Sequence, residues 1–281
     1  MPELPLGAVI AFDFEKWNVQ EEIALVRAAG ARRIQVYRNY LQGAKAERIR
    51  STLQDAGLLI DSLHGYIHLE QFEGPAFDLS SPDADVREAS MELARAEADF
   101  ARRLGCRDVI VHPVGPGETE NDAGRPAALR RSAEELVRIA ERADVRFLLE
   151  NMPPPMFGRD AQFLRSMADA LASAHLGLVY DSGHATLAGR PVETIREMGP
   201  RLWAVHLHDN DGREDDHRLP GMGVVPFEDV ARALAEVKFA GTFMLEIYRD
   251  TAEVRRDLTP ERLTYINRLR RIASGLNSQI R

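Results

Sequence analysis

The chain has only eight histidines, yet three of them fall with five acids inside one stretch, VHLHDNDGREDDHRLPG, from Val205 to Gly221. Imidazoles and carboxylates crowded in this way suit proton transfer or the binding of a divalent cation such as Mn²⁺, Zn²⁺, Fe²⁺ or Co²⁺. The same residue types recur where other short apolar runs end: His64 in LHGY, His112 in VHPVG, Glu150 in LLENMPPP, Asp181 and His184 in YDSGHA, and Glu246 in MLEIY. His206, His208, Asp215 and His217 complete the set. Glu150 and Glu246 are the most pointed members, because an ionised carboxylate ending an apolar strand must be paired or bind a metal.

Taken singly, several of these residues have plainer readings. A lone histidine at a strand end is more often hydrogen-bonded structure than a ligand, and Asp-Ser-Gly is a common helix-capping turn. The charged run 209–218, with Asp209, Asp211, Glu214 and Asp216, reads as a solvated surface loop. His68 and His175 lie off the pattern and are read as structural. The one cysteine, Cys106, excludes an internal disulfide and a cysteine-built zinc site, which leaves imidazole and carboxylate as the donors.

Residues so far apart in the chain need a fold that gathers strand ends. Eight short apolar runs read as strands: GAVIAF (7–12), RIQVY (33–37), LLIDSL (58–63), DVIVH (108–112), RFLLE (146–150), LGLVYD (176–181), LWAVHL (202–207) and TFMLEI (242–247). Amphipathic helical patterns follow them, such as PDADVREASMELARAEADFARRLG (82–105), RPAALRRSAEELVRIAERA and TPERLTYINRLRRIAS. Nearly continuous apolar strands separated by helices predict a parallel sheet covered on both faces. Eight such units in a chain of 281 residues fit an α/β fold of the (β/α)8 TIM barrel type, in a single domain over 1–281. A doubly wound sheet shares the alternation. The irregular segments 64–81, 112–122, 151–158 and 208–225 all follow predicted strands, which a barrel would collect on its active-site face.

Composition removes other classes. With 28% charged residues, a net charge of −8 and pI near 5.6, the chain has no general attraction for nucleic acid or anionic lipid, although a local basic patch is compatible with this. No apolar run approaches the roughly 20 residues that span a bilayer. The start MPELPLGAVIAF lacks the basic opening and long apolar centre of a secretory signal, so the cytoplasm is the expected location. Oligomeric state is left open.

VHP, LLEN, DSGHA, VHLHDNDG, DHRLPGMG and LEIY, in this order, resemble the xylose isomerase-like barrel superfamily, which includes sugar isomerases and epimerases and the endonuclease IV family of apurinic-site nucleases. The resemblance to the epimerase pattern implies that Glu150, Asp181, His206 and Glu246 hold one divalent metal, with His184 close to the substrate. The endonuclease pattern adds His64 and His112 around a second metal shared through Glu150, and His184, Asp215 and His217 around a third. One Mn, Zn, Co or Mg ion per chain, and up to three, follows from it.

Two functions compete. In the first, a metal-dependent isomerase or epimerase acts on a small sugar, ketose or polyol-derived compound through an enediolate, with Glu150 and Glu246 as the catalytic pair and His184, His208, Arg213 and Arg218 around the substrate. In the second, clustered metals hydrolyse phosphodiesters at abasic DNA, with YRNYLQGAK (Arg38, Tyr40, Lys45) as the backbone-binding candidate; its plainer reading is an exposed loop entering a helix. The apolar loop ENMPPPMFGR, the unneutralised acids after His208, and the HDNDG and HRLPGMG forms favour the small-molecule branch. A non-catalytic binding barrel is the third class, but it would have no need for both glutamates.

Overall fold

The computed structural model describes residues 2–15, 17–39, 43, 45–66, 77–116 and 123–276. Eight strands pair in parallel: β1 Leu6–Phe12, β2 Arg33–Arg38, β3 Leu59–His64, β4 Asp108–Val111, β5 Arg146–Glu150, β6 Leu176–Asp181, β7 Leu202–His206 and β8 Phe243–Leu245. The order is β7-β6-β5-β4-β3-β2-β1-β8, and a bridge between Leu207 and Leu245 brings the two edges together into a nearly closed barrel. This is the (β/α)8 architecture, and the doubly wound alternative is excluded.

Helices separate the strands: α1 Val19–Ala28, α2 Ala46–Asp55, α3 Ala84–Leu104, α4 Arg125–Ala143, α5 Ala161–Leu171, α6 Ser182–Leu187, α7 Glu193–Met198, α8 Phe227–Glu236, α9 Thr251–Asp257 and α10 Pro260–Ala273. Their starts are fixed by short polar side chains. Asp83 accepts from Asp85 N–H, Asp160 from Phe163 N–H and Thr259 from Arg262 N–H, each satisfying a donor the helix itself leaves unpaired. The inward faces, such as Leu93, Ala94, Ala101 and Leu104 of α3, pack on the outer face of the strands in one large core.

Inside the barrel, the period of two along each strand sorts residues by height. On β5, Arg146, Leu148 and Glu150 occupy successive inward levels; on β4, Asp108 and Ile110 stand in register with Arg146 and Leu148. Ile110, Leu148 and Val179 form the apolar middle layer, with Trp203 and Ala204 against it. The charges below that layer and those above it are therefore two separate populations.

Several expected strands end earlier or one residue later. The last is only Phe243–Leu245, rather than 242–247, because β1 pairs with β8 only from Leu6 to Ala8; farther up, Ala11 N–H donates to the Glu22 carboxylate at 3.1 Å instead. β4 stops at Val111 and β7 at His206, so His112, Leu207 and Glu246 lie just beyond the sheet, whereas His64 lies within β3.

Candidate metal centre at the mouth of the barrel

Glu150 ends β5, Asp181 ends β6, His206 ends β7 and Glu246 follows β8, so four neighbouring strand ends aim one donor each at a common point. One ligand atom from each of the four lies within 4.8 Å of the others. His206 Nδ1 stands 3.3 Å from Glu150 Oε2, 3.2 Å from Glu246 Oε1 and 4.0 Å from Asp181 Oδ2. All four residues are at most 2% exposed. Among the described residues, Glu150 Oε2 and His206 Nδ1 are nevertheless buried polar atoms with no hydrogen-bond partner, an arrangement that costs free energy unless something else binds there.

The charges argue the same way. Glu246 is pushed well above the usual carboxylate range by burial and by the neighbouring Glu150, Asp181 and Asp215 carboxylates. Burial would also raise Glu150, but His206 and His112 outweigh it and hold Glu150 well below that range. Asp181 is likewise lowered, His184 and His208 overcoming its burial. Among the described residues the ion pairs of these acids run only to histidines, never to arginine or lysine. A three-carboxylate, one-imidazole set of buried O and N donors is suited to a borderline or hard divalent cation, and a cation there would let Glu246 ionise.

Further histidines flank this centre on both sides. His64 Nε2 lies 3.8 Å and His112 Nε2 3.6 Å from Glu150 Oε2. Burial and the adjacent His112 push His64 down to about 3, so it is a neutral ring. Across the centre, His208 Nε2 approaches the Asp181 carboxylate at 3.0 and 3.1 Å, and its ring stacks on His217 at 4.0 Å. His217 donates from Nδ1 to the Glu246 carbonyl and from Nε2 to Asp215, both at 3.0 Å, from a left-handed backbone at φ 47° that is uncommon for a non-glycine residue. His184 donates to the Asn151 carbonyl at 2.8 Å and faces Asp215 at 3.3 Å. Burial lowers it, but Asp181 and Asp215 raise it to about 10. The sets His64–His112–Glu150, His64–His206–Glu246 and His208–His217–Glu246 also meet the geometry for holding an ion.

The description of the xylose isomerase-like TIM barrel family matches residues 23–270. The chain belongs to this family. It is 28% identical over 264 residues to the L-ribulose-5-phosphate 3-epimerase UlaE of Escherichia coli, covering 90% of this chain and 84% of that protein. An uncharacterized protein of Methanocaldococcus jannaschii is 32% identical over 181 residues, and the match spans 61% of this chain and 62% of that relative's length. A crystallised D-tagatose 3-epimerase-like protein superposes with a TM-score of 0.74 at 24% identity over 93% of this chain and 98% of that one. An L-ribulose 3-epimerase superposes at 0.72 and 19%, covering 97% and 94%. These two superpositions show the shared fold.

In this xylose isomerase-like barrel, DSGHA does two jobs. Asp181 faces the centre and also caps α6, its Oδ1 accepting His184 N–H at 2.7 Å. A Cβ on Gly183 would meet the His208 ring at 2.0 Å, so only glycine permits that approach. The loop beyond His208 is not the uniformly solvated one its charges suggest. Asp209 is fully buried and accepts from Gly221, Gly223 and Val225 N–H at 2.8, 2.8 and 3.0 Å, because a returning LPGMGVV turn needs an acceptor for its backbone donors. Asp211 and Glu214 remain exposed, and Asp216 binds Arg218 at 2.8 Å. Arg218 is thus held within its own loop, and Arg213 is exposed on it.

The DNA-facing expectation for Arg38 is overturned. Its guanidinium is buried against Glu97 at 2.6 Å and over the Phe100 ring at 3.9 Å, tying β2 to α3. Lys45 precedes α2 and is exposed; Tyr40 and His68 lie outside the described residues. His175 is structural as expected, donating to the Val145 carbonyl at 2.6 Å far below the mouth. Among the described residues no helix is long and apolar enough to cross a membrane.

Some contributors carry little sequence signal. Asn151 clamps the Asp181 backbone, accepting from its N–H at 2.8 Å and donating to its carbonyl at 3.2 Å. Its position directly after Glu150 was the available hint. Tyr37, Tyr248, Phe14 and Trp17 form an aromatic wall beside the centre, with Phe14–Tyr37 and Tyr37–Tyr248 centroids 4.9 and 5.2 Å apart. Gln35 and Ser62, buried under His206, were hidden inside apolar strands.

Proposed function

We propose that the chain, read as one barrel domain over 1–281, is a divalent-metal-dependent isomerase or epimerase of a small ketose or related hydroxy-carbonyl compound. The supporting observation is the Glu150–Glu246 pair: two buried carboxyls, 3.3 and 3.2 Å from the same His206 nitrogen, whose surroundings push them in opposite directions. Two carboxyls set about one point suit a base and an acid acting on one carbon, each passing between its ionised and neutral forms as a proton is taken or returned. Glu150, held ionised, would take the proton from the carbon beside the substrate carbonyl; Glu246 would return one from the other side, inverting that carbon. A cation held by Glu150, Asp181, His206 and Glu246 would supply Lewis-acid polarisation of the carbonyl and so ease enediolate formation.

The remaining side chains have supporting parts. His208 fixes the Asp181 carboxylate, and His184 would offer its Nε2–H to a substrate oxygen in exchange for Asp215. The aromatic wall suits the C–H face of a sugar. Arg213 and Arg218 would reach the substrate only by moving with their loop, Arg218 by releasing Asp216. The buried, unpaired Cys106 is compatible with a reducing cytoplasm, the location we assign.

The second reading is metal-dependent phosphodiester hydrolysis at abasic DNA. The flanking sets His64–His112–Glu150 and His208–His217–Glu246 favour it; the buried Arg38 counts against it. The two are separated by incubating Mn²⁺-loaded protein in D₂O with a panel of ketoses and ketose phosphates, and in parallel with an abasic duplex. Deuterium entering next to a carbonyl, and lost in Glu150→Gln and Glu246→Gln, is the expected result. Strand cleavage without exchange would replace the first reading with the second.

A further inference from the structure

Gln35 is an amide in the middle of an apolar strand, 1% exposed, at the level below the metal centre. Its two terminal atoms are nearly equidistant from one imidazole nitrogen: His206 Nε2 lies 3.0 Å from Gln35 Nε2 and 3.1 Å from Gln35 Oε1. The Ser62 hydroxyl donates to Gln35 Oε1 at 3.0 Å and fixes the plane of the amide. On the far side of the ring, Nδ1 points between Glu150 and Glu246 without a hydrogen-bond partner among the described residues.

We propose that Gln35 is the positioning residue for His206, and that its amide serves either tautomer of that ring, so that Nδ1 can be turned from a donor into a metal-binding lone pair. The inference rests on the metal centre proposed above. For Nδ1 to offer a lone pair, the ring must carry its proton on Nε2, and Gln35 Oε1 accepts that N–H. Without a cation, an Nδ1–H facing two carboxyl groups is the better arrangement, and the Nε2 lone pair then accepts from the Gln35 amide N–H.

The two forms carry the same charge: one proton leaves Nδ1 and one arrives at Nε2. An amide meets both with little movement, whereas a carboxylate could serve only the first and a thioether neither. A cavity of about 160 Å³, open at the other end of the barrel and lined by Gln35, Ser62, Asp61, Asp108 and Arg146, gives room for water behind this chain of hydrogen bonds. Partners of this kind fix the orientation of metal-binding histidines, and their loss typically weakens metal binding about 10–100-fold.

The test uses ¹⁵N-histidine-labelled full chain and two variants. Long-range ¹H–¹⁵N correlation should show His206 as the Nδ1–H form without metal and the Nε2–H form with Zn²⁺; the same form in both states overturns the proposal. Equilibrium dialysis should show Mn²⁺ affinity about 10–100-fold weaker in Gln35→Met at unchanged circular dichroism, with a smaller loss in Ser62→Ala, which also covers the case in which Gln35→Met fails to fold. Affinities within twofold of wild type overturn this inference alone, whereas no Mn²⁺ binding by the wild type overturns the metal centre together with it.

Discussion

The two ends of the barrel are both charged and opposite in how the charge is answered. At the N-terminal end the two acids that line the barrel floor have cationic partners: Asp108 takes a two-pronged grip from Arg146 at 2.5 and 2.6 Å, and Asp61 binds Arg33 at 3.0 Å and the Thr242 hydroxyl at 2.6 Å. At the C-terminal mouth Glu150, Asp181, Asp215 and Glu246 converge, and among the described residues only imidazoles pair with them. The floor is therefore complete in the protein alone, whereas the mouth leaves a set of buried donors able to hold a cation. Pairing within the chain marks structure, and its absence in a buried cluster marks a binding site.

Substitutions should separate the two ends. The largest effect belongs to the mouth: Glu150→Gln or Glu246→Gln should cut carbonyl-adjacent deuterium exchange by about 10²–10⁴-fold, the range for losing a general acid or base. Glu246→Gln should not lower the melting temperature of the metal-free protein, since it removes one of the mutually repelling carboxyls. A large loss of metal-free stability in that variant would erase the contrast with the floor.

Next in size, Mn²⁺ at a hundred times its dissociation constant should stabilise the wild type by about 2.7 kcal/mol and leave Glu246→Gln unmoved, read as denaturation midpoints with and without metal. At the floor, Asp108→Asn should cost about 1–3 kcal/mol by leaving Arg146 without its partner, with exchange activity intact. Activity falling in step with stability there would mean that the two ends are not independent.

The smallest effect is a pH window at the rim. His184 is raised from 6.5 to about 10, so the stability it contributes is full below pH 6.5 and lost as pH climbs through 10. Asp215 is lowered from 3.8, so its share is present above that pH and lost under acid. The melting temperatures of wild type and Asp215→Asn should thus differ most between about pH 4 and 6.5 in metal-free protein. A pH-independent difference would remove the ion pair from the account.

The fold was legible because apolar runs and helical periods recur through the chain, and Glu150, Asp181, His206 and Glu246 could be picked out because each terminates such a run. Strand length at β8 was not legible, since it depends on Glu22 taking the Ala11 N–H, a contact between elements. Asp209 and Arg38 misled for a related reason. Their charge reads as exposure in sequence, while burial is set by partners distant in the chain, Val225 and Gly221 for the first and Glu97 for the second. Gln35 carried no pattern at all; only the register that stacks it beneath His206 gives it meaning.

The most direct measurement is the divalent metal bound per chain at equilibrium, by elemental mass spectrometry after dialysis against Mn²⁺, in the wild type, Glu246→Gln and Asp108→Asn. The account predicts one tightly held ion in the wild type and Asp108→Asn and none in Glu246→Gln at the same free concentration. A wild-type chain that retains no ion, or a Glu246→Gln chain that retains it in full, would contradict the claim that the unanswered acids at the mouth are a cation site.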